Sequence, residues 1–268
     1  MAGALHQLVA GYSPGDAISN EARLLREAFR SWGLASNIFC ESRRTHPRLR
    51  TDALDISSLP EQLSTSDVVL LHLSIGSPAN ILFRQLRARK VVRYHNITPP
   101  EYFDIVNKEI AHALALGRRQ MALLADTAEI NMGVSRYNVQ ELASAGYRDP
   151  QVVPLLLDLD AVTARPDPAL LAKYSDGRTN VVFVGRCAPN KKIEDLLQAM
   201  IVFRKAIDAD ARLIHVGSFA GTERYHYMLR AMAKETGLTD VVFTGSVPQS
   251  HVGEILQQGQ TAASKGLL

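Results

Sequence analysis

Short, strongly apolar runs alternate with amphipathic stretches along the chain. The runs lie at Leu5–Ala10, Ser36–Cys40, Val68–Leu73, Lys90–His95, Ile130–Val134, Gln151–Pro154, Asn180–Gly185, Arg212–Gly217 and Val241–Gly245. Several are hydrophobic at nearly every position, which predicts parallel strands covered on both faces. Helical periodicity fills the intervals. Glu21–Trp32 aligns Leu24, Leu25, Ala28, Phe29 and Trp32 on one side, and Glu194–Ala206 aligns Leu197, Met200, Ile201 and Phe203. Strand–helix–strand repetition predicts an α/β fold with a parallel sheet and right-handed crossovers.

The rhythm breaks at Asp158–Lys173, which carries Pro166 and Pro168, and a fresh strand begins at Asn180. This divides the chain into an N-terminal domain, residues 1–160, and a second α/β unit, residues 161–268. The second unit offers three clear strands, each followed by a helix, and is short beside the ~100–150 residues common for such a domain. The closing stretch GEILQQGQTAASKGLL turns polar where another strand is due. We expect the second unit to be incomplete.

Composition excludes several classes. With 46% hydrophobic and 21% charged residues, the chain of 268 residues has the makings of a large core and not of a disordered protein. A net charge of +3 is too small to argue for nucleic acid. Cys40 and Cys187 lie far apart and form no CxxC pair, as in a reducing compartment. No apolar run is long enough for a membrane span, and no basic segment precedes the first apolar stretch. The expectation is a cytoplasmic protein. The eight histidines are scattered, without HExxH, so no metal is expected.

The richest segment is VVFVGRCAPNKKIEDLL, Val181 to Leu197. A strand ends at Gly185, Arg186 follows, and Lys191 and Lys192 stand where a helix begins. Cations at a strand's C-terminal end beside a helix N-terminus suit an anion. Arginine chelates phosphate oxygens and lysine acts as a point charge. A pair of solvated surface cations fits the spacing equally well. SPGDAISNEA, Ser13 to Ala22, is a small-residue loop in which Gly15 permits close approach and Ser19 or Asn20 caps the next helix. It lacks GxGxxG, which disfavours a nicotinamide site.

VGRCAPNKKIEDLLQAM resembles the strand–GR–loop–K–helix segment of family 4 (group 1) glycosyltransferases of the GT-B fold. FTGSVP (Phe243 to Pro248), SRYNVQELASAGY (Ser135 to Tyr147) and YHNITPPEYF (Tyr94 to Phe103) resemble further segments of that family, in family order over roughly residues 5 to 255. The resemblance implies two Rossmann-like domains facing a cleft, with a nucleotide-sugar donor mainly on the second and an acceptor on the first. It implies that Arg186 and Lys191 grip the donor diphosphate and stabilise charge on the leaving group, and that His95 hydrogen-bonds the transferred sugar. Gly15 and Asp16, Gly185, Gly217 in HVGSFAG, and Gly245, Ser246 and Val247 are the further donor contacts. HVGSFAG follows the third strand of the second unit or its neighbour. One departure stands out: the family's downstream Glu-x7-Glu element is missing, and no glutamate follows Glu254. That puts full donor binding in doubt.

The implied activity is retaining, metal-independent transfer of a UDP- or GDP-linked sugar to a glycan or lipid-linked acceptor in surface polysaccharide assembly. Alternatives are an impaired fragment that at most binds a nucleotide, and a nucleotide-sugar epimerase of similar fold. Arg43, Arg44, Arg48 and Arg50, with Arg87, Arg89 and Lys90, would supply peripheral contact with anionic lipid at the membrane's inner face, or else form a solvated loop.

Overall fold

The structure, a computed structural model, describes residues 3–158 and 172–247. Two compact units emerge, one of residues 1–100 and 109–157, the other of 101–108 and 158–268. The second unit thus includes the short segment 101–108, which no change of composition announces.

The first unit is built on seven strands: β1 (Leu5–Val9), β2 (Ile38–Cys40), β3 (Leu54–Asp55), β4 (Val68–Leu73), β5 (Arg89–Tyr94), β6 (Ile130–Gly133) and β7 (Gln151–Val152). Their order across the sheet is β3-β2-β1-β4-β5-β6-β7, and every pairing is parallel. The order reverses between β1 and β4, the kind of switch point beside which open parallel sheets bind ligands. Every strand expected here from the apolar runs is present. The two-residue β3 is the addition, too short to leave a pattern.

Helices α1 (Ala17–Ser31), α2 (Leu59–Gln62), α3 (Pro78–Gln85), α4 (Lys108–Leu123) and α5 (Arg136–Ser144) make the crossovers. Helix α1 corrects the sequence reading twice. It begins a turn before Glu21 because Asp16 caps it, its carboxylate accepting from Ser19 N and Ser19 Oγ, both at 2.8 Å. Its buried face is Ser19, Glu21, Ala22, Arg26 and Phe29, while Trp32 is 70% exposed. The helix turns inward two charged residues that have partners there, Glu21 with Arg93 of β5 and Arg26 with Asp52 in the loop before β3. Arg26 donates to Asp52 O at 2.8 Å and to Asp52 Oδ1 at 2.7 Å, and Tyr12 Oη bonds the same carboxylate.

Close approach fixes the loop after β4. Gly76 N donates to Ala113 O of α4 at 2.9 Å, and a Cβ on Gly117 would lie 2.6 Å from Gly76 N. Glycine alone fits there.

In the second unit β8 (Asn180–Val184), β9 (Arg212–Val216) and β10 (Val241–Phe243) form a parallel sheet in the order β10-β9-β8. Helices α6 (Ile193–Ala206) and α7 (Glu223–Glu235) follow β8 and β9. Ile193, Leu197 and Met200 pack with Leu213, Tyr225 and Leu229 into one apolar cluster. HVGSFAG therefore begins within the second strand of this unit. The expected boundary at Asp158–Lys173, the helix after β10 and the chain's polar end fall wholly or largely outside the described residues. Among those residues no helix is long and apolar enough to cross a membrane.

Candidate active site

In the second unit the strand ends bring the expected glycines together. Gly185 N donates to Val216 O at 2.9 Å, Gly217 N to Gly245 O at 3.1 Å, and Cys187 N to Ser218 O at 2.9 Å. The loops after β8, β9 and β10 are thus laced side by side. A Cβ on Gly217 would lie 1.9 Å from the Gly185 carbonyl oxygen, and Gly245 holds a left-handed φ of 70°. Gly185, Gly217 and Gly245 make two of these three contacts, and the backbone at the C-terminal edge of the sheet lies beside the Phe183 and Phe219 rings, which a Cβ on Gly185 or on Gly245 would meet at 3.1 and 3.5 Å. Ser246 is exposed beside this edge, and Val247 packs beneath it on Tyr174, Ile214 and Val216.

Arg186 and Lys191 are both exposed. Arg186 Nη2 donates to Ala220 O at 3.0 Å, in the loop that follows Gly217. Lys191 closes a single 3-10 turn, Pro189–Lys191, and Lys192 takes a left-handed φ of 52° to start α6. The helix end itself is already occupied. Ile193 N donates to Tyr225 Oη at 2.9 Å, Tyr225 Oη bonds Glu194, and Asp195 adds a second carboxylate to the first turn. An anion here would be held by the two side chains and the loop amides, not by the α6 dipole.

Cys187 lies beneath this loop, fully buried, with its thiol pushed up to about 11 by burial. Both cysteines are free and buried, and neither is placed as a nucleophile.

In the first unit His95 follows β5, its N–H donating to Leu73 O at 2.9 Å. Its side chain is 2% exposed. The histidine does not bond its own loop. Its Nε2 lies 2.9 Å from Nδ1 of His72 on β4, with the rings nearly parallel, and His72 Nε2 lies 2.9 Å from Gln7 Oε1 on β1. Beside them Glu21 of α1 pairs with Arg93 of β5. Arg93 Nε donates to Glu21 Oε2 at 2.8 Å, and Arg93 Nη2 bonds Glu21 Oε1. Arg93 also donates to Pro154 O, and Leu156 N donates to Glu21 Oε1. Gln7, His72, Glu21 and Arg93 escaped the sequence reading. Part of their signal was present: His72 interrupts the otherwise apolar strand β4, and the register sets it opposite Arg93.

The loop after His95 is pinned from below. Tyr94 Oη donates to Glu141 Oε2 at 2.9 Å and accepts from Ile97 N at 3.0 Å, while Arg118 holds Glu141 at 3.3 Å. Burial and the Glu141 carboxylate push the Tyr94 hydroxyl well above its ordinary range, so it remains a donor. Asn96 carries a left-handed φ of 74° at the exposed turn.

Among the described residues Glu21, His72 and His95 alone form a cluster of metal-ligating atoms, all within 4.8 Å of one another. They do not fit a metal. Arg93 holds both Glu21 oxygens, and the 2.9 Å gap between the imidazoles is a hydrogen bond containing one proton. A divalent ion would have to expel that proton and lie beside a buried guanidinium.

Of the residues expected at the donor, Asp16 uses Oδ2 as the α1 cap and is exposed, and Gly15 is exposed with a φ of 73°. The basic set is largely paired: Arg43 and Arg44 share Glu41 at 2.7 and 3.1 Å, Arg89 meets Glu129, and Lys90 donates to Arg84 O.

Comparison with known proteins adds the following. Residues 172–265 match the family model for glycosyl transferases group 1. No curated protein sequence matches the chain. Among solved structures, the chain is similar to Anabaena HepE in complex with UDP and glucose, with a TM-score of 0.66 at 17% identity over 95% of this chain and 72% of that one. It is similar to a glycosyltransferase from Rickettsia africae, with a TM-score of 0.64 at 12% identity over 95% and 71%. It is also similar to α,α-trehalose 6-phosphate synthase from Burkholderia multivorans, with a TM-score of 0.61 at 11% identity over 96% and 76%. The chain therefore has the GT-B fold of these transferases, and its residues 172–265 match the group 1 glycosyl transferase model.

Proposed function

We propose that the chain is a retaining glycosyltransferase that takes a nucleotide-sugar donor. The observation that carries this reading is the laced edge of Gly185, Gly217 and Gly245 with Arg186 and Lys191 at its rim. Glycines at the strand ends let a flat nucleotide and its diphosphate approach backbone amides, and the two cations offset charge on the departing diphosphate. The UDP bound in the Anabaena HepE structure supports a uridine donor before a guanosine one. In the first unit, His95 provides a neutral imidazole for a sugar hydroxyl. Fixed cations on the leaving group remove the need for a metal. The acceptor is a glycan or a lipid-linked glycan of surface polysaccharide assembly, and the enzyme acts in the cytoplasm. Contact with the inner face of a membrane would fall to Arg48 and Arg50, because Arg43 and Arg44 are paired with Glu41.

Thermal unfolding of the full chain with UDP, GDP and their common sugar conjugates tests the reading. A ligand at 100 times its Kd stabilises by about 2.7 kcal/mol. We expect such a shift with UDP or a UDP-sugar, lost in Arg186→Ala and in Lys191→Ala. A flat response from folded protein, or a shift that survives both substitutions, removes the assignment.

A further inference from the structure

The first unit contains a chain of hydrogen bonds whose direction is fixed at one end. Gln7 Nε2 donates to the Ala22 carbonyl oxygen at 2.9 Å, which turns Gln7 Oε1 toward His72. An amide oxygen only accepts, so His72 Nε2 carries a proton and donates it. The His72 side chain is wholly buried, and burial and the neighbouring His95 and Arg93 hold it neutral. A neutral imidazole with a proton on Nε2 has a bare lone pair on Nδ1. His95 Nε2 lies 2.9 Å from that lone pair, so the proton between the rings belongs to His95 Nε2. The Glu21 carboxylate, 3.6 Å from His95 Nε2 and 3.9 Å from His72 Nδ1, favours a proton between the two rings, and the Gln7 link assigns it to His95. His95 then has none for Nδ1, and Nδ1 is buried without a partner.

We propose that Gln7 and His72 are positioning residues that lock His95 in its Nε2–H tautomer, so that Nδ1 is an acceptor reserved for a hydroxyl of the transferred sugar. The inference rests on the glycosyltransferase reading for its ligand, and on the hydrogen bonds alone for its tautomer. A buried acceptor left empty costs about 1–3 kcal/mol, which a ligand hydroxyl recovers. The tautomer also narrows the ligand class. A lone pair accepts from a hydroxyl and repels a phosphate or carbonyl oxygen, whereas an Nδ1–H would donate to any of the three. It further directs the negative end of the imidazole dipole at a sugar ring that gains positive charge during transfer.

Long-range nitrogen-15 NMR of the imidazoles in the full chain tests the first part. We expect His95 to be neutral at neutral pH, with its proton on Nε2. A proton on Nδ1, or a doubly protonated ring, overturns the proposal without any variant. His72→Gln preserves both links, because its amide oxygen accepts from His95 and its amide nitrogen donates to Gln7. His72→Leu removes the acceptor. The tautomer should persist in the glutamine variant and become mixed in the leucine one, and an unchanged His95 in the leucine variant is the contrary result.

Turnover gives the second reading. For the nucleotide sugar that the native chain consumes, kcat should fall about tenfold in His72→Leu and stay within about twofold in His72→Gln. Equal losses in both variants would make His72 a packing residue and overturn the relay. If no nucleotide sugar is consumed at all, the glycosyltransferase reading fails and the tautomer alone judges the relay.

Discussion

His95 lies 2% exposed beside Arg93, and burial followed by that guanidinium pushes its pKa down to about 3. His72 is lowered by burial, His95 and Arg93, and His215 is lowered to about 4 chiefly by burial. In the unfolded chain each takes up its proton near 6.5. Between that pH and the folded values the unfolded state therefore binds more protons. The stability these neutral rings confer is complete above the unfolded pKa and is lost as pH falls through the window below it. Each contributes a slope of about 1.4 kcal/mol per pH unit. Urea unfolding across mildly acidic pH should show stability falling steeply on acidification. His215→Phe, at a ring stacked on Phe183 with both nitrogens unpartnered, should flatten the fall by one histidine's share. A flat native profile would mean that these rings are charged in the folded state. The placement of Arg186 and Lys191 on the loop after β8 was legible at this scale because it follows from one strand–loop–helix segment. His72 and Gln7 were not, because their meaning lies in partners on other strands.

Helix α1 shows what apolar periodicity misses. Counting leucines placed Leu24, Leu25 and Trp32 inward, but the face that turns inward carries Glu21 and Arg26. Burial of a charge costs several kcal/mol unless it is paired, and β5 supplies the partner. The Glu21–Arg93 pair does more than cover α1. Through Pro154 O and Leu156 N it fastens residues 154–156, next to the point where the chain leaves the first unit. Glu21→Gln leaves a buried guanidinium without its carboxylate and should destabilise the first unit by roughly 3–5 kcal/mol. Hydrogen exchange at the Leu156 amide should rise with it. An unchanged melting temperature would show that Arg93 finds another partner.

At the scale of the molecule, each unit has its own sheet and its own apolar cluster. Damage to one should therefore not be amplified by damage to the other. Gly217→Ala forces a Cβ against the Gly185 carbonyl and should cost about 1–3 kcal/mol together with nucleotide affinity. Combined with Glu21→Gln, its effect on stability should add to within about 0.5 kcal/mol. A coupling well beyond that in denaturant unfolding would mean that the two clusters unfold as one. Nucleotide affinity should follow Gly217 and ignore Glu21.

The sequence by itself determined the α/β class, the parallel strands, the glycines at the strand ends and the two cations after β8. Each of these is written locally, in a hydrophobic run, a turn or a loop between adjacent elements. It also placed His95 at a strand end. Only the tertiary structure decided what surrounds that histidine. Gln7, Glu21, His72 and Arg93 are far apart in the chain and meet because parallel register and the α1 crossover stack them on one face. The same crossover decided that Asp16 caps a helix. Residue spacing specifies neighbours along one element. Hydrogen-bond direction, tautomer and buried charge depend on neighbours across several, and those exist only once the sheet has closed over them.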